Sequence, residues 1–154
     1  MGRQRAPRAG EAEEPVERTC RSCGRRMEER RRWRGHADEV RYCSDSCRRH
    51  GVTATDRQLE ATILQLLGKR APTATVCPSE AARAVASERA SHQGQTGVRV
   101  PDEKESGEET WRPLMEPARR AARRLVASGD VVIVQGGRIV DPSTAKGPIR
   151  IRRS

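Results

Sequence analysis

The chain of 154 residues has no phenylalanine, no asparagine, one tyrosine and two tryptophans. Aromatic rings bury the largest area per side chain, so their scarcity excludes a ring-packed interior and leaves Leu, Ile, Val and Ala to build any core. Lysine is nearly missing as well, with three Lys against 28 Arg. A GC-rich coding sequence would produce that skew, but it would not distribute charge unevenly along the chain. Long apolar runs are absent. The longest is Val131-Val132-Ile133-Val134, far below the ~20 residues that span a bilayer, and the start MGRQRAPRAGEAEEP lacks the apolar stretch of a secretory leader. No membrane partner is expected, and the expected location is cytoplasmic, where thiols stay reduced.

Cysteine is scarce but grouped. Cys20 and Cys23 form C-x2-C, and Cys43 and Cys47 form C-x3-C after nineteen intervening residues. Two short knuckles separated by a hairpin-sized insert supply the four corners of a tetrahedral thiolate cage, the arrangement that suits one zinc ion. Four thiolates leave no open coordination position, so the expected Zn2+ is structural and not catalytic. The competing reading, two disulfides, does not suit a reducing compartment. Segment 18–51 has little apolar content of its own, chiefly Met27, Trp33, Val40 and Tyr42, so metal binding is expected to provide much of its folding free energy. Asp38-Glu39-Val40-Arg41-Tyr42 alternates like a strand. Ser44 through Gly51 reads as a short helix capped by Ser44 or Asp45. Knuckle, hairpin, strand and ligand-bearing helix give a treble-clef-like zinc module. His36 and His50 are spare, since the cysteines already complete the set.

The rest of the chain reads as a second unit. Residues 1–17 have no periodicity and are expected to form a disordered tail. From 56 onward, with Asp56 as the expected cap, Leu59, Ile63, Leu66 and Leu67 recur at helical spacing as far as Gly68. Pro78 suits a first helical position and Glu80 a reach back to the helix start, with Ala81, Ala82 and Val85 on the buried face. Segment 87–110 is poor in apolar residues and is expected to be a mobile insertion. Trp111, Leu114, Met115, Ala118, Ala121, Ala122, Leu125 and Val126 then share one face of a third helix that stops at Gly129, with its regular part expected from Pro117. Arg112, Arg119, Arg120, Arg123 and Arg124 fall on the opposite face. Val131–Val134 and Arg138–Val140 flank Gly136-Gly137, the composition of a tight hairpin, and a last strand runs Ile149-Arg150-Ile151-Arg152. The fold class is therefore α+β, a treble-clef-like zinc module (18–51) followed by a winged-helix domain (52–154) of three helices and a β-hairpin wing. Of the single residues, Cys77 and Trp111 read as core packing, while Trp33 among Arg30, Arg31, Arg32 and Arg34 suits stacking by arginine or by a base and equally simple coverage of a zinc knuckle.

CRSCGRRMEERRRWRGHADEVRYCSDSCRRHG resembles a small bacterial zinc module of unknown function. VCPSEAARAV, WRPLMEPARRAARRLVASGDVVIVQGGRIVDP and KGPIRIRR resemble an equally uncharacterised winged-helix-like companion domain. The resemblance implies the fold and the pairing of domains, and it brings no activity with it.

Function is expected to follow charge. Eleven arginines face five acidic residues in 18–51, and nine Arg and one Lys face three acidic residues in 111–154. Concentrated arginine suits phosphate, so the expected partner is nucleic acid, DNA before RNA. The third helix would carry Arg112, Arg119, Arg120, Arg123 and Arg124 to the groove, with Arg138 on the wing and Arg150 and Arg152 beside it. The alternative is a protein-interaction adaptor with a protein partner. No Ser-His-Asp set, glycine-rich phosphate loop, open metal site or small-molecule substrate is evident, so no enzyme is expected.

Overall fold

The short apolar sets become four helices and two small sheets in a computed structural model that describes residues 17–94 and 110–154. The N-terminal part is a two-stranded antiparallel sheet, β1 (Arg18–Thr19) with β2 (Arg26–Met27), followed by 3-10 turns at Arg31–Trp33 and Ala37–Glu39 and the helix α1 (Asp45–His50). Ser44 caps α1, its side chain accepting from the Cys47 amide at 3.1 Å. Gly51 ends the helix at φ 59°, in the left-handed region that favours glycine. The expected strand over 38–42 is not formed. Residues 37–39 are a 3-10 turn, and the chain after them bonds to the first knuckle, Arg41 O accepting from Arg21 N at 2.9 Å and Cys43 N donating to Cys20 Sγ at 3.4 Å. Those bonds hold the second knuckle against the first and take the place of a ladder.

The C-terminal part comprises α2 (Ala54–Gly68), β3 (Thr75–Val76), α3 (Pro78–Gly94), a 3-10 turn (Arg112–Leu114), α4 (Met115–Ala127), β4 (Val131–Gln135), β5 (Arg138–Val140) and β6 (Arg150–Arg153). Leu59, Ile63 and Leu67 of α2 meet Ala81, Ala82 and Val85 of α3 and Ala118, Ala121 and Ala122 of α4, and the sheet adds Val76, Val131, Ile133 and Ile151. All are buried. The alanines compensate for the missing aromatics, because small side chains let three helices approach closely around the leucines of α2. The sheet is antiparallel with strand order β3-β6-β4-β5. The last strand is thus interior, and Thr75–Val76, expected only as a lead-in, forms an edge.

Three boundaries differ from the sequence reading. Thr53, not Asp56, caps α2: its hydroxyl accepts from the Asp56 amide while the Asp56 carboxylate accepts from the Thr53 amide, a reciprocal capping box that starts the helix two residues earlier than Asp56. Segment 87–94 continues α3 in place of opening an insertion, held to α2 by Arg89 donating to Thr55 Oγ1 (2.6 Å) and Gln58 Nε2 donating to Glu88 (3.0 Å). The remainder of the expected insertion, 95–109, and residues 1–16 of the expected tail lie outside the described residues. Helix α4 begins at Met115 and not at Pro117, because the first turn of a helix needs no amide from proline. The expected caps at Pro78 and Glu80 are present, with Cys77 N donating to Glu80 at 2.8 Å.

Candidate metal centre and the arginine face

The first knuckle is held by the β1–β2 pair, and the second by Ser44 at the start of α1. Between them these elements bring Cys20, Cys23, Cys43 and Cys47 together, with all four Sγ atoms within 4.8 Å of one another. Cys23 and Cys43 are 3.6 Å apart and Cys43 and Cys47 3.5 Å. A disulfide would require about 2.05 Å, and all five cysteines of the chain are free. In a tetrahedral cage with metal–sulfur bonds of about 2.3 Å, sulfur–sulfur edges are roughly 3.8 Å, so the shortest separations suit a four-thiolate metal site. The four cysteines can hold a metal ion.

Without a cation, crowding and burial act against ionisation of Cys23 and Cys43. Burial, bonds from Cys47 and Cys23, and repulsion by neighbouring thiolates push Cys43 up to about 12. Burial also raises Cys23. At Cys20 burial acts upward too, but amide donors from Cys23, Cys43 and Ser22 outweigh it and bring the thiol down to about 7. A bound cation would remove the repulsion and make four thiolates compatible.

The residues between the first two ligands join this centre to the second domain. Ser22 is fully buried, its hydroxyl donating to Gly51 O at 2.7 Å. Arg124 Nη1 donates to Ser22 O at 2.6 Å, Arg123 Nε to Cys23 O at 2.6 Å, and Arg120 to the Ser22 hydroxyl. Gly24, at φ 70°, sits so close to α4 that a Cβ there would lie 2.5 Å from Arg124 N and 2.6 Å from Arg123 Cβ. The knuckle is therefore seated on α4 itself. At a second contact, Arg26 N donates to Ser143 Oγ at 2.8 Å and the Arg26 side chain pairs with Asp141.

The arginines of α4 thus have partners that the sequence did not suggest. Arg123 is only 7% exposed, and its Nη2 donates to Glu116 at 2.7 Å. Arg124 pairs with Glu60 and lies 3.7 Å from the buried Asp56. Arg119 and Arg120 are half-buried, and Arg120 Nε is a buried donor without an acceptor among the described residues. A groove-facing helix surface would leave these groups open, and three of the five guanidinium groups expected there bond to the cysteine knuckle instead. Arg112, Arg138 and Arg150 are exposed and Arg152 is half-buried in β6, with Arg150 Nε donating to Thr75 Oγ1 at 2.6 Å.

Asp56 ties the same junction together. It is 1% exposed and accepts from Thr53 N and Thr53 Oγ1, both at 2.8 Å, and His50 Nε2 lies 3.1 Å away. Burial would raise its carboxyl, but the Thr53 bonds, the Arg124 charge and the His50 contact together hold it below the ordinary range. Ser22, Gly24 and Asp56 were not singled out as junction residues in the sequence. The only signal for Gly24 was its place directly after the second cysteine.

Residues 56–154 match the family described as "Protein of unknown function (DUF3253)". The chain belongs to that family. Its residues 12–50 match a second one, "Uncharacterized protein conserved in bacteria (DUF2256)", which spans the four cysteines. The DUF3253 portion thus carries most of α2 and everything after it to β6, with the arginine face, and the DUF2256 portion carries the knuckles seated on that face. No curated protein matches the chain.

Proposed function

We propose that the protein is a non-catalytic nucleic-acid-binding protein in which one structural zinc ion, held by Cys20, Cys23, Cys43 and Cys47, shapes an arginine-covered module that contacts phosphates. The observation carrying this reading is the module's surface. Ten of its eleven arginines are exposed, and of those ten only Arg26 pairs with a carboxylate among the described residues. Unpaired guanidinium groups are free to neutralise phosphates and release counterions. Arg30 and Arg32 lie 5.3 and 5.7 Å from the Trp33 ring, which orders two of them without consuming their charge.

Zinc fits four thiolates better than a hard, oxygen-seeking cation would, and a closed cage suits a structural role. The order helix, strand, helix, helix, hairpin supports a winged-helix plan for the second domain, and the ligand-bearing α1 after two knuckles supports a treble-clef plan for the first. With Arg123 and Arg124 bonded to the knuckle, the duplex contacts fall to the cysteine module and to the exposed Arg112, Arg138 and Arg150. Binding of the intact chain to a duplex DNA should weaken steeply as salt rises, and a duplex RNA in parallel reads the preference. An absence of binding to both would refute this reading.

The second reading, a protein-docking adaptor, is favoured by one observation. Ile139 is 63% exposed on β5, an edge strand of its sheet, and an apolar side chain on an open edge suits strand pairing with a partner chain. Nuclease treatment separates the two, because a partner captured through β5 survives it.

A further inference from the structure

The arginine face of α4 is chemically a phosphate surface, and the protein keeps it under its own cysteine knuckle. We propose that α4 is a second, latent polyanion-binding face, built on Arg120 and Arg123, which the knuckle Ser22-Cys23-Gly24 covers for as long as the module holds its metal. The proposal rests on the phosphate-binding reading of the exposed module and adds a second surface to it.

Three observations carry it. The bonds that seat the knuckle go to neutral acceptors: Arg123 donates to the Cys23 carbonyl and Arg120 to the Ser22 hydroxyl. A phosphate oxygen accepts a charge-assisted bond about twice as strong, so the Arg120 guanidinium and the Arg123 Nε are spent on weaker partners, while the Arg123 Nη2 keeps its bond to the Glu116 carboxylate. The buried Arg120 Nε, lacking an acceptor among the described residues, is a donor that the covered state leaves unsatisfied. Finally, the cover depends on the cage. Its cluster comprises only Cys20, Cys23 and Cys47, with Met27, Tyr42 and Cys43 packed at its margin, too little to fold without metal. The α4 side stands without it, because Ala118, Ala121, Ala122 and Leu125 are anchored in the larger core. Arg124 contributes less to the latent face, since Glu60 and Asp56 keep it paired after the knuckle leaves.

Gly24→Ala is the sharpest lever. It alters no ligand and no arginine, yet its Cβ would collide with the α4 backbone. Full-length protein loaded with zinc, the same protein after chelation, and zinc-loaded Gly24→Ala are each treated with phenylglyoxal, an arginine-selective reagent, and modification of Arg120 and Arg123 is read by peptide mass spectrometry. Labelling is expected to be slow in the loaded wild type and at least tenfold faster in the other two states. A 20-base-pair DNA duplex is expected to suppress that faster labelling. For Gly24→Ala, the slope of log affinity against log salt should steepen by about one to two units relative to wild type, one for each guanidinium group released. Zinc content of the variant is measured alongside; if it has fallen, the variant reports the same uncovered state as chelation. Equal labelling of Arg123 in all three states would overturn the proposal, as would faster labelling that duplex DNA fails to suppress. Wild type that binds no duplex while Gly24→Ala does would refute the proposed role of the exposed module and leave the latent face standing.

Discussion

Replacing Asp56 should show how far the two domains depend on one carboxylate. The side chain is 1% exposed, accepts both Thr53 bonds at 2.8 Å, and lies 3.1 Å from His50 Nε2 and 3.7 Å from the Arg124 guanidinium. Removing one partner of a buried ion pair costs about 3–5 kcal/mol. Here the lower end applies, because Arg124 keeps Glu60 and His50 is 39% exposed and can turn to water. Asp56→Ala should therefore lose about 3 kcal/mol, a fall in Tm of roughly 10–20 °C for a domain of this size. Asp56→Asn retains one acceptor oxygen for the capping box and should lose about half as much. Thermal unfolding followed by circular dichroism reads both. The sign with pH follows from the lowered carboxyl: its contribution is full at neutral pH and is lost as pH falls below the ordinary Asp value of about 3.9 toward the depressed native one. Wild-type stability should drop more steeply than that of Asp56→Asn in this acid window, and the two should run parallel above pH 5. A Tm change of less than about 3 °C for Asp56→Ala, or parallel profiles below pH 4, would refute the assignment of Asp56 as the buried pin of the junction.

Cys43→Ser should abolish stoichiometric zinc binding, measured by elemental analysis, while α2, α3 and α4 retain their circular dichroism signal; a full zinc complement in the variant would exclude the four-cysteine cage. Ile63→Ala, at a fully buried position in α2, should cost about 2–5 kcal/mol in urea unfolding. Gly137→Val, where φ is 77°, should cost about 1–3 kcal/mol by forcing a β-branched residue into the left-handed region, with a control at Arg138 showing little change.

Local rules made much of the architecture legible. Leu59, Ile63 and Leu67 lie in the core that their spacing implied, Gly136 and Gly137 both take positive φ in the hairpin, and Ser44 caps the helix that carries Cys47. Where the sequence reading failed, the deciding bonds were nonlocal. Nothing near Glu88 and Arg89 shows that Gln58 and Thr55 will hold them in a helix, and the alternation at 38–42 gave way to bonds with the first knuckle. The same reason hid the junction. Spacing places Arg120, Arg123 and Arg124 opposite the apolar face of α4, but only the folded chain brings Ser22 and Cys23, about a hundred residues away in sequence, against them. A run of arginine signals a surface that seeks oxygen acceptors and says nothing of whose oxygens they will be.

The central claim is that the arginine-rich, zinc-held module binds nucleic acid through phosphates. Its most direct test is the affinity of the intact, zinc-loaded chain for a 20-base-pair DNA duplex between 50 and 200 mM salt. Each phosphate neutralised adds about 0.9 to the slope of log affinity against log salt, so four or five contacts from the exposed arginines predict a slope of about −4. No salt-dependent binding at micromolar protein to either duplex DNA or duplex RNA would contradict the claim.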